Sequence, residues 1–231
     1  YKKFAQRIFL ITDYLRTRDQ MEFTPEPDMF HDIFGHLPFL TQEFYARIED
    51  KFAPAYMNAT QDEREVIKRL AWYSTEFGLV MEDNRIKVFG AGIISGRSEL
   101  ANTIMEFYRL SRDSVIDYGA NVFEQLQDNF HAHKKDVHRI IVGVNELHQK
   151  GQMSSGEQGW NVVRDLYEKL GIRREGIFGG EVILVPFDVE TIALIPKTVY
   201  AFNPIFFVCE SLEQMDALLD SYLKPIAMRA N

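Results

Sequence analysis

Two histidines stand five residues apart in Asp28-Met-Phe-His31-Asp-Ile-Phe-Gly-His36-Leu-Pro38, and this segment constrains the chain more than any other. On a regular α-helix such a pair points about 140° apart, a poor angle for sharing one ion. Gly35 and Pro38 offer a way round. A glycine can take the left-handed conformation that ends a helix and a proline cannot continue one, so a break there would swing His36 back toward His31. A third donor must come from elsewhere. The best placed is Glu76, late on a helix that the capping-box pattern Thr60-x-x-Glu63 opens and that runs through Val66, Ile67 and Leu70 to Phe77. Two neutral imidazoles and one carboxylate on one face of an octahedral ion leave three positions open, the arrangement that non-haem iron oxygenases use to hold O2 and a co-substrate together. The same donors also serve zinc hydrolases. Taken singly, a His-x4-His pair recurs by chance, and Glu76 suits a solvated helix face.

The rest of the chain supplies a scaffold that is mainly α with a small β element. Thr41 can cap a helix whose apolar positions Phe44, Ile48 and Phe52 recur every four residues. Residues 99–150 are again helical in pattern, with Leu126, Phe130, Val137, Ile141 and Val144 drawing an apolar stripe; residues 151–156 break it and 160–170 resume it. From Glu181 to Cys209 the runs Val182–Val185, Thr191–Ile195 and Ile205–Val208 are β-branched and aromatic, punctuated by Pro186, Pro196 and Pro204, and predict short extended segments. Ser211-x-x-Gln214 then opens a closing helix with Leu212, Met215, Leu218 and Leu219 inward.

A chain of 231 residues is long enough for one sizeable domain. A net charge of −8 without basic tracts argues against nucleic acid or anionic membrane as the main partner. The longest apolar runs fall far short of a membrane span. Cys209 is the only cysteine, so no disulfide can close within the chain, which suits a cytoplasmic location. The first residue is Tyr1 rather than Met, and the chain reads as an excerpt of a longer sequence.

The run Thr24 to Pro38, with Trp72, Glu76-Phe-Gly-Leu79 and Phe89-Gly-Ala-Gly-Ile-Ile-Ser95 ahead of Glu99, resembles the pterin-dependent aromatic amino acid hydroxylases, the phenylalanine, tyrosine and tryptophan hydroxylases. The similarity covers roughly residues 5–100 and resumes from Pro186-Phe-Asp188 through Phe202-Asn-Pro204 to about Leu223. Several separated motifs in one order are a far more specific signal than any of them alone.

The resemblance implies a hydroxylase-like catalytic fold in a single domain, ring hydroxylation of an aromatic amino acid by O2, Fe(II) as the metal and tetrahydropterin as the source of two electrons. It implies that His31, His36 and Glu76 are the iron ligands and that Arg16 pairs with the substrate carboxylate, a role suited to a guanidinium fork. Thr24, Pro27, Trp72 and Phe77 would line the ring pocket, and Ser95 would hold a ligand imidazole in its tautomer beside that pocket. Asp32 would keep the acidic character expected beside the cofactor. Val199 matches a position that influences ring preference, and an apolar residue there leans toward phenylalanine over tyrosine. Without the resemblance, Arg16 reads as a surface ion pair, Trp72 and Phe77 as ordinary core and Ser95 as a turn hydroxyl.

The chain departs from the family pattern in four places. The pterin-stacking aromatic of the family would precede Tyr1. Ala71 stands where tyrosine is usual, and Gly96-Arg97-Ser98 replaces Ser-Phe-Gly. Some eighty residues separate the Glu99 and Pro186 regions, a mostly helical insertion at about 102–178 that suggests a lid or partner surface in place of the pterin-side wall. His131, His133 and His138 lie in it, in a stretch that reads as a solvated helical face rather than a second metal site. The competing functions are an iron oxygenase of the same fold that works without free pterin, and a module that binds an aromatic amino acid without turnover. No coiled-coil tail follows the last helix, so a monomer or dimer is expected.

Overall fold

A computed structural model describes residues 1–21, 26–83, 85–97, 99–101, 103, 121–151, 183–199 and 203–229, for all but the side chains of Asp19, Asn129 and His133. The helix that carries the histidine pair does not break. It widens into a π-helical turn over His31–His36 and continues as α1 (Leu37–Leu40), with Pro38 in the first turn of α1, where a missing N–H costs little. Gly35 keeps an ordinary backbone conformation. Its role is space: a Cβ there would lie 2.9 Å from the Ala91 carbonyl oxygen, so its bareness lets α4 (Ala91–Ser95) press against the turn.

Helix α2 (Glu43–Asn58) follows, with Ile48 and Phe52 buried as the spacing predicts. Its N-cap is Gln42 rather than Thr41, whose hydroxyl instead donates to the Pro38 carbonyl at 2.6 Å. Helix α3 (Gln61–Ala71) carries the predicted capping box, with Thr60 accepting from the Glu63 N–H and Glu63 from that of Thr60. It too ends in a π-helical turn, Trp72–Glu76, closed by a bond from the Phe77 N–H to the Trp72 carbonyl at 2.9 Å.

A four-stranded sheet follows the order β2-β1-β4-β3. β1 (Leu79–Glu82) pairs antiparallel with β2 (Arg85–Val88), with Leu79 opposite Val88. Asp83, between them, takes a left-handed φ of 51°. The sequence pattern assigns no strand to this region, because four-residue strands are too short to show a period. β3 (Ile183–Pro186) and β4 (Ile205–Cys209) fall in predicted extended runs, pair in parallel, and place Ile183 opposite Ile205. β4 also pairs in parallel with β1 and is buried at every position, as a central strand should be.

The expected extended run Thr191–Ile195 is instead mostly helical, within α6 (Val189–Leu194). The Asp188 side chain caps it by accepting from the Thr191 N–H at 2.7 Å, and that local bond overrides the β preference of the isoleucines.

Within the stretch read as an insertion, α5 (Val122–Gln149) buries Leu126, Phe130, Val137, Ile141 and Val144 as predicted and packs on β3. Its His131 and His138 are exposed. The remaining stripe predicted over 160–170 lies outside the described residues. α7 (Leu212–Ala227) starts at its Ser211 cap, with Met215, Leu219, Leu223 and Ile226 inward; Leu212 and Leu218 are only half-buried. It lies along α2, where Lys51 reaches Asp216 and Asp220 at 2.6 and 2.7 Å. No described helix is long and apolar enough to cross a membrane.

Candidate metal centre

The two widened turns face each other and bring three donors together. His31 Nε2 lies 3.1 Å from His36 Nε2 and 3.5 Å from Glu76 Oε2, and His36 Nε2 lies 3.2 Å from Glu76 Oε1. Among the described residues this is the one group of three or more histidine, cysteine or acidic side chains that could hold a metal ion. Both imidazoles are buried and the carboxylate is partly so.

The proton positions follow from the outer partners. The Ser95 hydroxyl donates to the Ala91 carbonyl at 2.8 Å, so its oxygen is left to accept from His31 Nδ1–H, also at 2.8 Å. His31 Nε2 is therefore a bare lone pair aimed at a second nitrogen and a carboxylate. Two imidazole nitrogens converging with a carboxylate suit a divalent transition metal. Burial pulls the His31 imidazole below its ordinary pKa, favouring the neutral, ligating form. Burial also opposes a charge on His36, but the field and hydrogen bond of Glu76 outweigh it and raise that imidazole. Burial would raise Glu76; His36, then His31 and Lys197, outweigh it and hold the carboxyl below its usual range. The charged carboxylate is the form a metal requires.

Arg16 is tied to Asp28, which is fully buried. Arg16 Nε and Nη2 donate to the two Asp28 oxygens at 2.9 and 2.6 Å, and Nη1 donates to the Ser95 carbonyl at 2.9 Å. These bonds use three of its five guanidinium N–H groups. Asp28 Oδ1 also accepts from the His31 backbone N–H at 3.0 Å, so one carboxylate joins the arginine to the first histidine. The surface ion pair suggested by composition is in fact a buried one. Arg16, Asp28, Phe30 and Ser95 border a cavity of about 680 Å³ together with Leu15, Ile94 and Leu100.

The Trp72 ring packs on Phe77 with centroids 4.4 Å apart, and Phe77 fits over the bare face of Gly92, where a Cβ would meet its ring at 2.5 Å. The indole N–H of Trp72 donates to Asn203 Oδ1 at 2.9 Å, and Asn203 donates through its side chain to Glu99 Oε1 at 2.9 Å. Three motif segments far apart in the chain thus meet behind one aromatic wall. Asp32 is buried and accepts from the Thr12 backbone N–H at 2.7 Å. Pro27 is exposed, with its carbonyl accepting from the Tyr14 hydroxyl at 2.9 Å, and Val199 is half-buried. Thr24 lies outside the described residues.

The motifs did not point to Lys197, Tyr45 or Glu49. Lys197 Nζ sits 4.5 Å from the centre of the Trp72 ring, and burial lowers its pKa. Tyr45 and Glu49 lie four apart on α2 behind His36. The one signal in the letters is the helix period, which sets Tyr45 and Glu49 on the face that turns Ile48 and Phe52 inward.

A family model described as biopterin-dependent aromatic amino acid hydroxylase matches residues 2–137, a span that holds His31, His36, Glu76, Ser95 and Glu99. Among curated proteins, the phenylalanine-4-hydroxylase of Mesorhizobium japonicum is 44% identical over 100 residues, covering 42% of this chain and 36% of that protein. The tyrosine 3-monooxygenase of Drosophila melanogaster is 33% identical over 141 residues, covering 54% of this chain and 24% of that protein. The matches thus span well under half the length of these relatives. The fold is shared with solved structures: phenylalanine hydroxylase from Legionella pneumophila superposes with a TM-score of 0.57 over 97% of this chain and 67% of its own, at 16% identity. The Chromobacterium violaceum enzyme, solved with iron(III) and 7,8-dihydrobiopterin, gives 0.57 over 97% of this chain and 55% of its own, at 21% identity. With the motifs in order, the donors assembled and more than half of the chain matched, this protein belongs to the biopterin-dependent aromatic amino acid hydroxylase family.

Proposed function

We propose that this chain is the metal-bearing part of a monooxygenase that hydroxylates the ring of an aromatic amino acid, phenylalanine first, with O2, a ferrous ion held by His31, His36 and Glu76, and a tetrahydropterin as reductant. The observation that carries this reading is the meeting of His31 Nε2, His36 Nε2 and both Glu76 oxygens within 3.1–3.5 Å across two widened turns. Three ligands on one side of an octahedral ion leave room for gas and reactant on the other. When bound, iron and pterin supply the electrons that ground-state O2 needs before it can attack an arene.

The protein's contribution is placement. Ser95 keeps His31 Nε2 bare, and Asp28 fixes the backbone from which His31 projects. Trp72 and Phe77, four residues before Glu76 and one after it, pack with their rings tilted into an apolar wall that suits the flat face of a substrate ring and excludes water. Arg16, anchored by Asp28, presents a guanidinium on the same side as Ser95 and serves the amino acid carboxylate. An apolar Val199 favours a phenyl over a phenol ring.

The test is anaerobic loading with Fe(II), followed by oxygen uptake with phenylalanine, tyrosine or tryptophan, with and without tetrahydropterin. Substrate-dependent uptake that requires the pterin and yields a hydroxylated ring is the expected result. Uptake with ascorbate and no response to pterin would favour the pterin-independent oxygenase. Amino acid binding without uptake under any reductant would leave only a binding module, and zinc with oxygen-independent hydrolysis would exclude both.

A further inference from the structure

The two ligand histidines have different outer partners. His31 leans on Ser95, a neutral hydroxyl that ends on a backbone carbonyl. His36 Nδ1 lies 3.4 Å from the Tyr45 hydroxyl, and Glu49, one helical turn further along α2, sets its carboxyl group beside that phenol. Tyr45 is 2% exposed. Glu49 Oε1 is buried with no hydrogen-bond partner among the described residues. A buried carboxylate oxygen without a donor is costly and calls for an explanation.

Counting protons supplies one. Tyr45 has a single hydroxyl proton. If it donates to His36 Nδ1, the ring proton must sit on Nε2, the atom that faces His31 and Glu76, and the site cannot take a metal through that nitrogen. If His36 Nε2 is bare, the ring proton is on Nδ1 and the phenol oxygen is its acceptor. The phenol proton is then free for Glu49. The Thr75 hydroxyl also lies beside Glu49 and is shared with the Ala71 carbonyl at 3.3 Å. One arrangement therefore provides both a bare ligand nitrogen and a donor for the carboxylate.

We propose that Glu49 and Tyr45 are positioning residues of the metal site, a relay in which His36 Nδ1–H donates to the Tyr45 oxygen and the Tyr45 hydroxyl donates to the Glu49 carboxylate. The relay rests on the metal-site reading and adds an asymmetry to it: His36 is backed by a phenol and a carboxyl group that burial pushes up to about 7, and His31 by a neutral hydroxyl alone. An acceptor chain that ends in a carboxylate makes the imidazole a more basic ligand and favours the higher oxidation state of a bound ion.

The experiment compares the wild type with Tyr45→Phe, Glu49→Gln, the double variant and Glu76→Ala. The readouts are Co(II) affinity by chelator competition, the Co(II) ligand-field spectrum and the Fe(III)/Fe(II) midpoint potential. Both single substitutions preserve side-chain volume, and thermal melts of the metal-free proteins report on their folding. Tyr45→Phe is expected to weaken Co(II) binding roughly 10–100-fold, to shift the spectrum and to raise the potential. Glu49→Gln is expected to act in the same direction, and the double variant to match Tyr45→Phe alone, because Glu49 acts through the phenol. An unchanged affinity and spectrum in Tyr45→Phe would overturn the relay. So would an equal effect of Glu49→Gln with and without the phenol, which would mark a through-space charge. If Tyr45→Phe does not fold, an unmoved potential in Glu49→Gln refutes the relay by itself. Failure of the wild type to bind Co(II), or binding indifferent to Glu76→Ala, would instead overturn the metal site.

Discussion

The Ser95 hydroxyl stands 2.8 Å from His31 Nδ1 and 2.8 Å from the Ala91 carbonyl oxygen, so a single serine decides which nitrogen of His31 carries a proton. Ser95→Ala removes the acceptor and frees the ring to exchange tautomers. The expected outcome is a 10–100-fold loss of Fe(II) or Co(II) affinity with little change in the melting temperature of the metal-free protein. Chelator competition measures it; an unaltered affinity would show that the tautomer is fixed by other means.

Gly90 touches the backbone of the ligand turn. A Cβ at this position would lie 2.2 Å from the Glu76 carbonyl oxygen and 2.5 Å from the Phe77 nitrogen, and neither is the tip of a flexible side chain. Gly90→Ala should therefore destabilise the fold by roughly 3 kcal/mol or more and displace Glu76. Gly96→Ala, whose nearest contact would be 3.0 Å, should cost clearly less. Urea unfolding of the two variants side by side distinguishes these outcomes.

Asp28 accepts from Arg16 N, Nε and Nη2 and from the His31 N–H while fully buried. Asp28→Asn leaves the guanidinium without its counter-charge, and a loss of about 3–5 kcal/mol is expected. Burial alone would raise this carboxyl; the hydrogen bonds from Arg16 and His31 outweigh it and hold it well below the usual range. A depressed folded pKa means that the stabilisation is complete above about pH 4 and is lost as pH falls further. Acid unfolding of the Asn variant should lack this component.

Glu99 behaves in the opposite sense. Burial pushes its carboxyl up to about 7, against the two hydrogen bonds from Asn203 that favour the anion. The folded protein then holds a proton that the unfolded chain releases at ordinary carboxyl values. The contribution is fully present at low pH and is lost as pH rises from about 4.5 through 7, by on the order of 3 kcal/mol. Glu99→Gln keeps the acceptor for Asn203 and should flatten stability across that interval, gaining on the wild type at pH 8. Denaturation midpoints from pH 4.5 to 8 check it, and parallel curves would refute it.

Much of this site was legible because its chemistry is written in contiguous letters. The histidine pair, Glu76 and the capping box at Thr60 each sit in a short pattern with its own physical reason, the role of Ser95 came from the family resemblance alone, and the amphipathic stripes of α2, α5 and α7 follow one period over several turns. The geometry that joins the histidines was not legible. Their spacing suggested a broken helix, whereas the backbone widens, and nothing in the letters of Gly35 and Pro38 distinguishes the two. The β1–β2 hairpin and α6 were missed because four to six residues cannot establish a period, and a cap at Asp188 outweighed two isoleucines. Asp28 and Asn203 gain much of their importance from Arg16 and Trp72, 12 and 131 positions away, which no local pattern encodes.

The widened turns have a consequence for how such chains are recognised. The letters of the motif and the phase of the helix that carries them are separable properties. A homologous segment could keep both histidines, the glycine and the proline, relax to an ordinary helical repeat, and aim its two rings into different quadrants, retaining the signature while losing the centre. Membership by motif therefore guarantees the ingredients, and only the pitch of two short turns, here over His31–His36 and Trp72–Glu76, turns them into a single coordination sphere.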